Sequence, residues 1–165
     1  MRPLSLALLG VGLLAPRVVS TTPKPGSIQG VWQTVQVSMT GPSPRVINIP
    51  EPRPNLTIVT AKHYSRVEDH AESPRAALAD VSKASADELR AAWGPFVGEA
   101  GTYEITGDNV ITMRPIVSKN PAAMARGTFS AFSFRLVGDT AWITEQRNQN
   151  GPIANPLTVK LLRVE

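Results

Sequence analysis

The densest concentration of groups able to donate, accept or exchange protons is the run Lys62-His63-Tyr64-Ser65-Arg66-Val67-Glu68-Asp69-His70. On a strand, alternation puts His63, Ser65 and Val67 on one side and Tyr64, Arg66 and Glu68 on the other. A Tyr–Arg–Glu row can orient the polar head of a ligand or move a proton. The plainer alternative is a solvated strand end with an ordinary cross-strand ion pair. His63 and His70 are the only histidines, with no cysteine or acidic partner at metal-ligand spacing, so no metal is expected. Arg114 precedes a proline and is a candidate either to hold a carboxylate or phosphate or to pair with a nearby acidic side chain. Nucleophile elbow, phosphate-cradling loop and paired catalytic carboxylates are all missing, so enzymatic activity is left open without support and no cofactor is expected. Asn55-Leu56-Thr57 matches a glycosylation acceptor and is read as incidental.

These groups need a scaffold, and composition limits it. The chain has 165 residues, 42% hydrophobic and 18% charged, enough apolar material for one globular core. The first twenty residues differ: Arg2, then an almost wholly apolar or small stretch from Leu4 to Leu14, then Val18-Val19-Ser20, the anatomy of a secretory signal peptide. Its apolar core is shorter than the roughly 20 residues a spanning helix needs. Residues 1–20 are therefore expected to be a signal peptide, 21–27 an N-terminal extension and 28–165 the folded domain, secreted or periplasmic. With zero cysteines, that domain is held by its core without disulfides. Loss of Arg2 and Arg17 would lower the basic residues from 17 to 15 against 13 acidic ones, a net charge of +2. No linear run of cations interleaved with aromatics remains, so neither a nucleic-acid partner nor stable membrane insertion is expected.

Eight segments read as strands: Val31–Met39, Leu56–Thr60, Lys62–Glu68, Gly101–Thr106, Val110–Val117, Thr128–Val137, Ala141–Gln146 and Leu157–Val164. Short strands separated by turn signals indicate an all-β barrel or sandwich. The proline-rich stretch from Gly41 to Pro54 cannot pair inside a sheet. Between the third and fourth strands, Ser85-Ala86-Asp87-Glu88 is a capping box opening a helix that Gly94-Pro95 should end. Pro74–Val81 is a further helical candidate. Leu89, Trp93 and Phe96 form one stripe, expected to pack on the barrel wall or, alternatively, to cap its mouth.

Two hairpins give a register. A three-residue loop Gly107-Asp108-Asn109, with a left-handed position near its end, pairs Ile105 with Ile111 and Tyr103 with Met113 on an apolar face, leaving Thr102 and Arg114 on the polar one. The same rule applied to Gly138-Asp139-Thr140 pairs Leu136 with Trp142 and Phe134 with Thr144, with Phe132 on the same face and Ser133, Arg135, Ile143 and Glu145 opposite. The first strand resists: Trp32 and Val35, Val37, Met39 fall on opposite faces unless a bulge intervenes.

Gly30-Val31-Trp32 opening the first strand and Leu161-Leu162-Arg163-Val164 closing the last resemble the lipocalins and related calycin barrels. More closely, the chain is similar to bacterial secreted lipocalin-like domain proteins, through Ile28 to Val35, Lys62-His63-Tyr64-Ser65, Gly101-Thr102-Tyr103-Glu104, Met113 to Pro121 and Ala141-Trp142-Ile143-Thr144-Glu145. The resemblance implies an eight-stranded antiparallel up-and-down barrel, with the helical insertion between strands 3 and 4 as a departure from the lipocalin pattern. It also implies a plug at the closed end made by Gly30, Trp32 and Arg163, in which the guanidinium covers the indole ring. In such a barrel Tyr103, Ile111, Met113, Phe132, Phe134, Leu136 and Trp142 would either line a cavity or fill a solid core. The expected function is binding of a small, largely apolar molecule, with Tyr64, Tyr103, Met113, Arg114, Phe132, Phe134 and Trp142 as ligand-binding residues and a small lipophile as partner. The alternatives are a cavity enzyme of isomerase or cyclase type using Tyr64, His63 or Glu68, and a protein-binding, inhibitor-like barrel acting through loops or residues 21–27.

Overall fold

Hydrogen bonding between the first and last long strands turns one meandering sheet back on itself. The computed structural model describes residues 27–40, 44–48 and 53–165. The expected signal peptide and residues 21–26 of the expected extension lie outside these. Ten strands are present: β1 (Gly30–Met39), β2 (Arg45–Asn48), β3 (Asn55–Val59), β4 (His63–Asp69), β5 (Phe96–Thr106), β6 (Val110–Ser118), β7 (Ser130–Val137), β8 (Thr140–Asn148), β9 (Gly151–Pro152) and β10 (Leu157–Arg163). Eight of them close an antiparallel barrel in the order β1-β3-β4-β5-β6-β7-β8-β10, with β10 pairing back onto β1. Closure removes the unpaired edges that an open sheet would present. β2 and β9 are short additions alongside β1 and β8. β2 falls in the stretch expected to stay out of a central sheet; it pairs with β1 alone, off the main strand path, through four residues that include no proline.

A bulge resolves the conflict on β1. The register against β10 shifts between Thr34 and Gln36, so one extra residue, Val35, is absorbed. Trp32 and Thr34 face inward before it; Val37 and Met39, opposite Val159 and Leu157, face inward after it. Asn55 supports the ladder here: its side chain accepts from the Thr34 N–H at 2.7 Å and donates to the Thr34 carbonyl at 3.2 Å.

The β5–β6 hairpin has the register derived from its sequence, Ile105 opposite Ile111 and Tyr103 opposite Met113, although its positive-φ residue, Gly107, opens the loop. The β7–β8 hairpin does not. Its loop is two residues, Gly138-Asp139, with Leu136 opposite Ala141 and Phe134 opposite Ile143. Glycine with φ +55 at the first loop position suits a two-residue II′-type turn, whose twist matches the strands. Shortening the loop by one residue sends Ile143 and Glu145 inward and Trp142 outward.

The core follows from these registers: Ile28, Trp32, Val59, Tyr64, Ile111, Ala141 and Leu161 are buried, with Tyr103, Met113, Phe132, Phe134, Leu136, Ile143 and Val159 packed against them. The helix α1 (Ala86–Trp93) opens with the Ser85/Glu88 capping box and buries no residue, and Trp93 is 51% exposed. It does not pack on the wall as core; Trp93 instead meets Phe96 edge-on, at 6.1 Å. Pro74–Asp80 is not helical, and only Val81–Lys83 forms a 3-10 turn. Within α1 and the segment before it, no helix of the described residues is long and apolar enough to cross a membrane.

Candidate functional site

The barrel has a plugged end and a polar end. At the plugged end, the Trp32 indole is completely buried and donates from Nε1 to the Ile28 carbonyl at 2.8 Å. The Arg163 guanidinium lies over its ring, 4.1 Å from the centroid, and donates to the carbonyls of Gln29 (2.5 Å) and Ser27 (2.7 Å). Gly30 makes room for it. Its φ is +141, and a Cβ there would stand 2.1 Å from Arg163 Nη1 and 2.8 Å from the Glu165 carbonyl oxygen.

Toward the other end the inward side chains become polar. Along β4, Tyr64 lies in the buried cluster at the level of the plug and Arg66 and Glu68 follow it toward the mouth; the three face Val59, Thr57 and Asn55 across β3. The Tyr64 hydroxyl donates to Glu99 Oε1 at 2.7 Å. Burial, reinforced by that carboxylate, pushes the Tyr64 phenol far above its ordinary range, so it remains a protonated donor. Arg66 stands opposite Glu99 across β4–β5, 3.9 Å from a Glu68 oxygen, and its Nε is buried without a hydrogen-bond partner. Glu68 also holds the His70 ring at 2.7 Å. On the facing wall Glu145 is turned inward and accepts from Ser130 Oγ at 3.0 Å. Glu99, Glu145 and Ser130 were not singled out from the sequence. Glu145 was assigned to the wrong face by the hairpin error, and nothing local in the sequence marks Glu99 as the partner of Tyr64, which lies 35 residues away.

Of the expected ligand-binding residues, Tyr64, Tyr103, Met113, Phe132 and Phe134 come together inside the barrel. Tyr103 sends its hydroxyl to the Thr60 carbonyl at 2.6 Å, and desolvation raises its pKa. Two do not join them. Arg114 sits on the outer wall, opposite Thr102, paired with Glu104 at 2.8 Å. Trp142 sits outside as well, its ring 3.7 Å beneath the Arg135 guanidinium and 5.9 Å from Lys160 Nζ. A three-residue β7–β8 loop would turn it inward; with the two-residue loop it faces out, where cations on the flanking strands give the ring a place. His63 is exposed. Among the described residues, no cluster of His, Cys, Asp and Glu could hold a metal.

The insertion between β4 and β5 forms an open cavity of about 760 Å³, lined by alanines with Arg75, Asp80 and Glu88. Its polar groups are already engaged. Arg75 pairs with Asp69 at 2.6 Å and donates to the Ala92 carbonyl; Asp80 and Glu88 accept from the backbone N–H groups of Ser82 and Ser85. Those contacts pull the Asp80 and Glu88 pKa values down. The barrel interior, with its free Arg66 Nε and inward carboxylates, is the better candidate. Comparison with protein-family models and with curated proteins found no match to this chain.

Proposed function

We propose that this is an exported, lipocalin-like barrel that binds a small, largely apolar molecule in its lumen, with the helical insertion beside the mouth. The observation that carries the reading is the partial burial of inward side chains. Met113, Phe132, Phe134, Leu136, Ile143 and Val159 point into a closed wall yet keep contact with solvent. In a closed barrel such side chains meet water from the lumen, as in a barrel whose side chains do not fill it. Apolar rings with Tyr64 toward the plug, and Arg66, Glu68, Glu99 and Glu145 toward the mouth, suit a ligand with an apolar body and a polar end.

The test is uptake of neutral N-phenyl-1-naphthylamine, followed by its emission, with native mass spectrometry of gently purified protein for a co-purifying lipophile. Saturable uptake is expected, altered in Phe134→Ala, with that variant losing less than the roughly 3–5 kcal/mol that deleting a ring from a solid core costs. No uptake together with the full loss would establish a filled core. A second reading, a lumen enzyme, draws on the buried Tyr64–Glu99 pair beside Arg66. The raised Tyr64 phenol stays protonated, so its part there would be to position and hydrogen-bond a polar group without giving up its proton. Turnover lost in Tyr64→Phe with probe uptake intact would favour it.

A further inference from the structure

The outer wall of β7, β8 and β10 carries a pattern invisible along the chain. Strand pairing aligns the outward residues in rows across these three strands. From the plugged end they read Val137–Thr140–Leu162, then Arg135–Trp142–Lys160, then Ser133–Thr144–Thr158, with Arg147 beside Ala131 nearer the mouth. Nearby, Phe129 lies between Arg114 and Arg147, whose guanidinium carbons are 5.7 and 5.6 Å from its centroid. None of the outward residues on these strands is acidic. Their one carboxylate, Glu145, is turned into the lumen. Asp139, in the adjoining turn, is directed to Arg163 at 3.6 Å. Arg135, Arg147 and Lys160 have no carboxylate partner among the described residues, whereas Arg114 is paired with Glu104.

We infer that this wall is a peripheral docking surface for an anionic phospholipid bilayer. Charge complementarity accounts for the attraction, because several cations face outward with no acidic residue among them. The rows beside the cations decide for a bilayer over a soluble polyanion. Val137 and Leu162, on either side of Thr140, are 56% and 40% exposed, and in the next row the half-buried Trp142 lies between Arg135 and Lys160 with the Arg135 guanidinium over its ring. An aromatic ring and aliphatic side chains at headgroup depth, with cations reaching phosphate, is the composition of an interfacial contact. The surface is independent of what the lumen holds. It would place the barrel wall against a membrane.

The experiment is sedimentation of the full chain with vesicles of phosphatidylcholine alone and of phosphatidylcholine mixed with phosphatidylglycerol, at low ionic strength. Binding is expected only to the mixed vesicles and should weaken as salt is added. Each juxtamembrane cation contributes about fivefold, so Arg135→Gln/Lys160→Gln should bind about 25-fold more weakly. Lys62→Gln, in the turn before β4, on the opposite side of the barrel from β8, should bind like the parent. In a Trp93→Phe background, vesicle binding should shift the emission of Trp142 to the blue, a readout that does not depend on the double variant folding. Absence of binding to the mixed vesicles, equal loss in Lys62→Gln, or binding without a blue shift would each overturn the inference. Retention on inorganic polyphosphate without vesicle binding would overturn it too, in favour of a soluble polyanion site.

Discussion

Replacing Arg163 with methionine removes the cover of the plug while keeping a side chain of similar reach. The Arg163 side chain is 15% exposed, so its interactions are only lightly screened. Hydrogen bonds from a charged donor contribute about 1.5–3 kcal/mol each, and two are lost, to the carbonyls of Gln29 and Ser27. A partly desolvated cation over an indole adds about 1–2 kcal/mol. The contact with Asp139, whose side chain is 83% exposed, adds little. Relief from burying a charge, and water reaching the freed carbonyls, offset part of this, leaving a net loss of about 2–4 kcal/mol. Urea unfolding followed by tryptophan emission should therefore show the midpoint fall by about 1–2 M at a typical slope. Combining Arg163→Met with Trp32→Phe isolates the ring contact, with a coupling of about 1 kcal/mol expected. A loss within about 0.5 kcal/mol, the range of ordinary surface substitutions, would show that the guanidinium holds nothing together.

Gly30→Ala forces a side chain into a positive-φ site already filled by Arg163, and should cost about 2–3 kcal/mol in the same urea experiment. Alkaline pH should act through Tyr64 and Tyr103, whose folded pKa values are raised by desolvation. Their contribution to stability is fully present below about pH 10, the unfolded value, and is lost as pH climbs beyond it. Phenolate absorbance of the native protein should thus stay flat through the pH range where the urea-unfolded protein titrates; coincident curves would contradict the buried Tyr64–Glu99 geometry. Ser85→Ala removes an N-cap and should lower protection of the Glu88 amide from hydrogen exchange by about fivefold, or about 1 kcal/mol, without altering the barrel.

The strands were legible because their patterns are local; those patterns left barrel and sandwich open, and only the family resemblance pointed to closure. The β5–β6 register was legible too, since only a three-residue loop keeps Glu104 off the face of Ile111. The β7–β8 register was misread because the three-residue loop that fits β5–β6 was carried over to a hairpin whose loop has two residues, which put Trp142 inside. Its actual partners, Arg135 and Lys160, sit on two other strands, and no window along the chain brings them together. The β1 bulge was visible only as a contradiction between Trp32 and Val37. It took the pairing with β10 to locate the extra residue at Val35. Half of the candidate site was readable from alternation on β4. The other half, Glu99 and Glu145, depends on which strands become neighbours and in what register.

The ring of hydrogen bonds is completed by a strand made last and used twice. β10 pairs on one side with β1 and on the other with β8, and Arg163 reaches carbonyls 134 and 136 residues back in the sequence. A chain emerging from its N-terminus therefore holds an incomplete cylinder until residues 157–163 appear, and contacts of such separation make folding slow. Until then the nascent protein has two unsatisfied strand edges, on β1 and β8, and is vulnerable to pairing with its neighbours. Truncation before Leu157 would fix it in that state, an aggregation-prone form with two reactive borders that β10 otherwise covers.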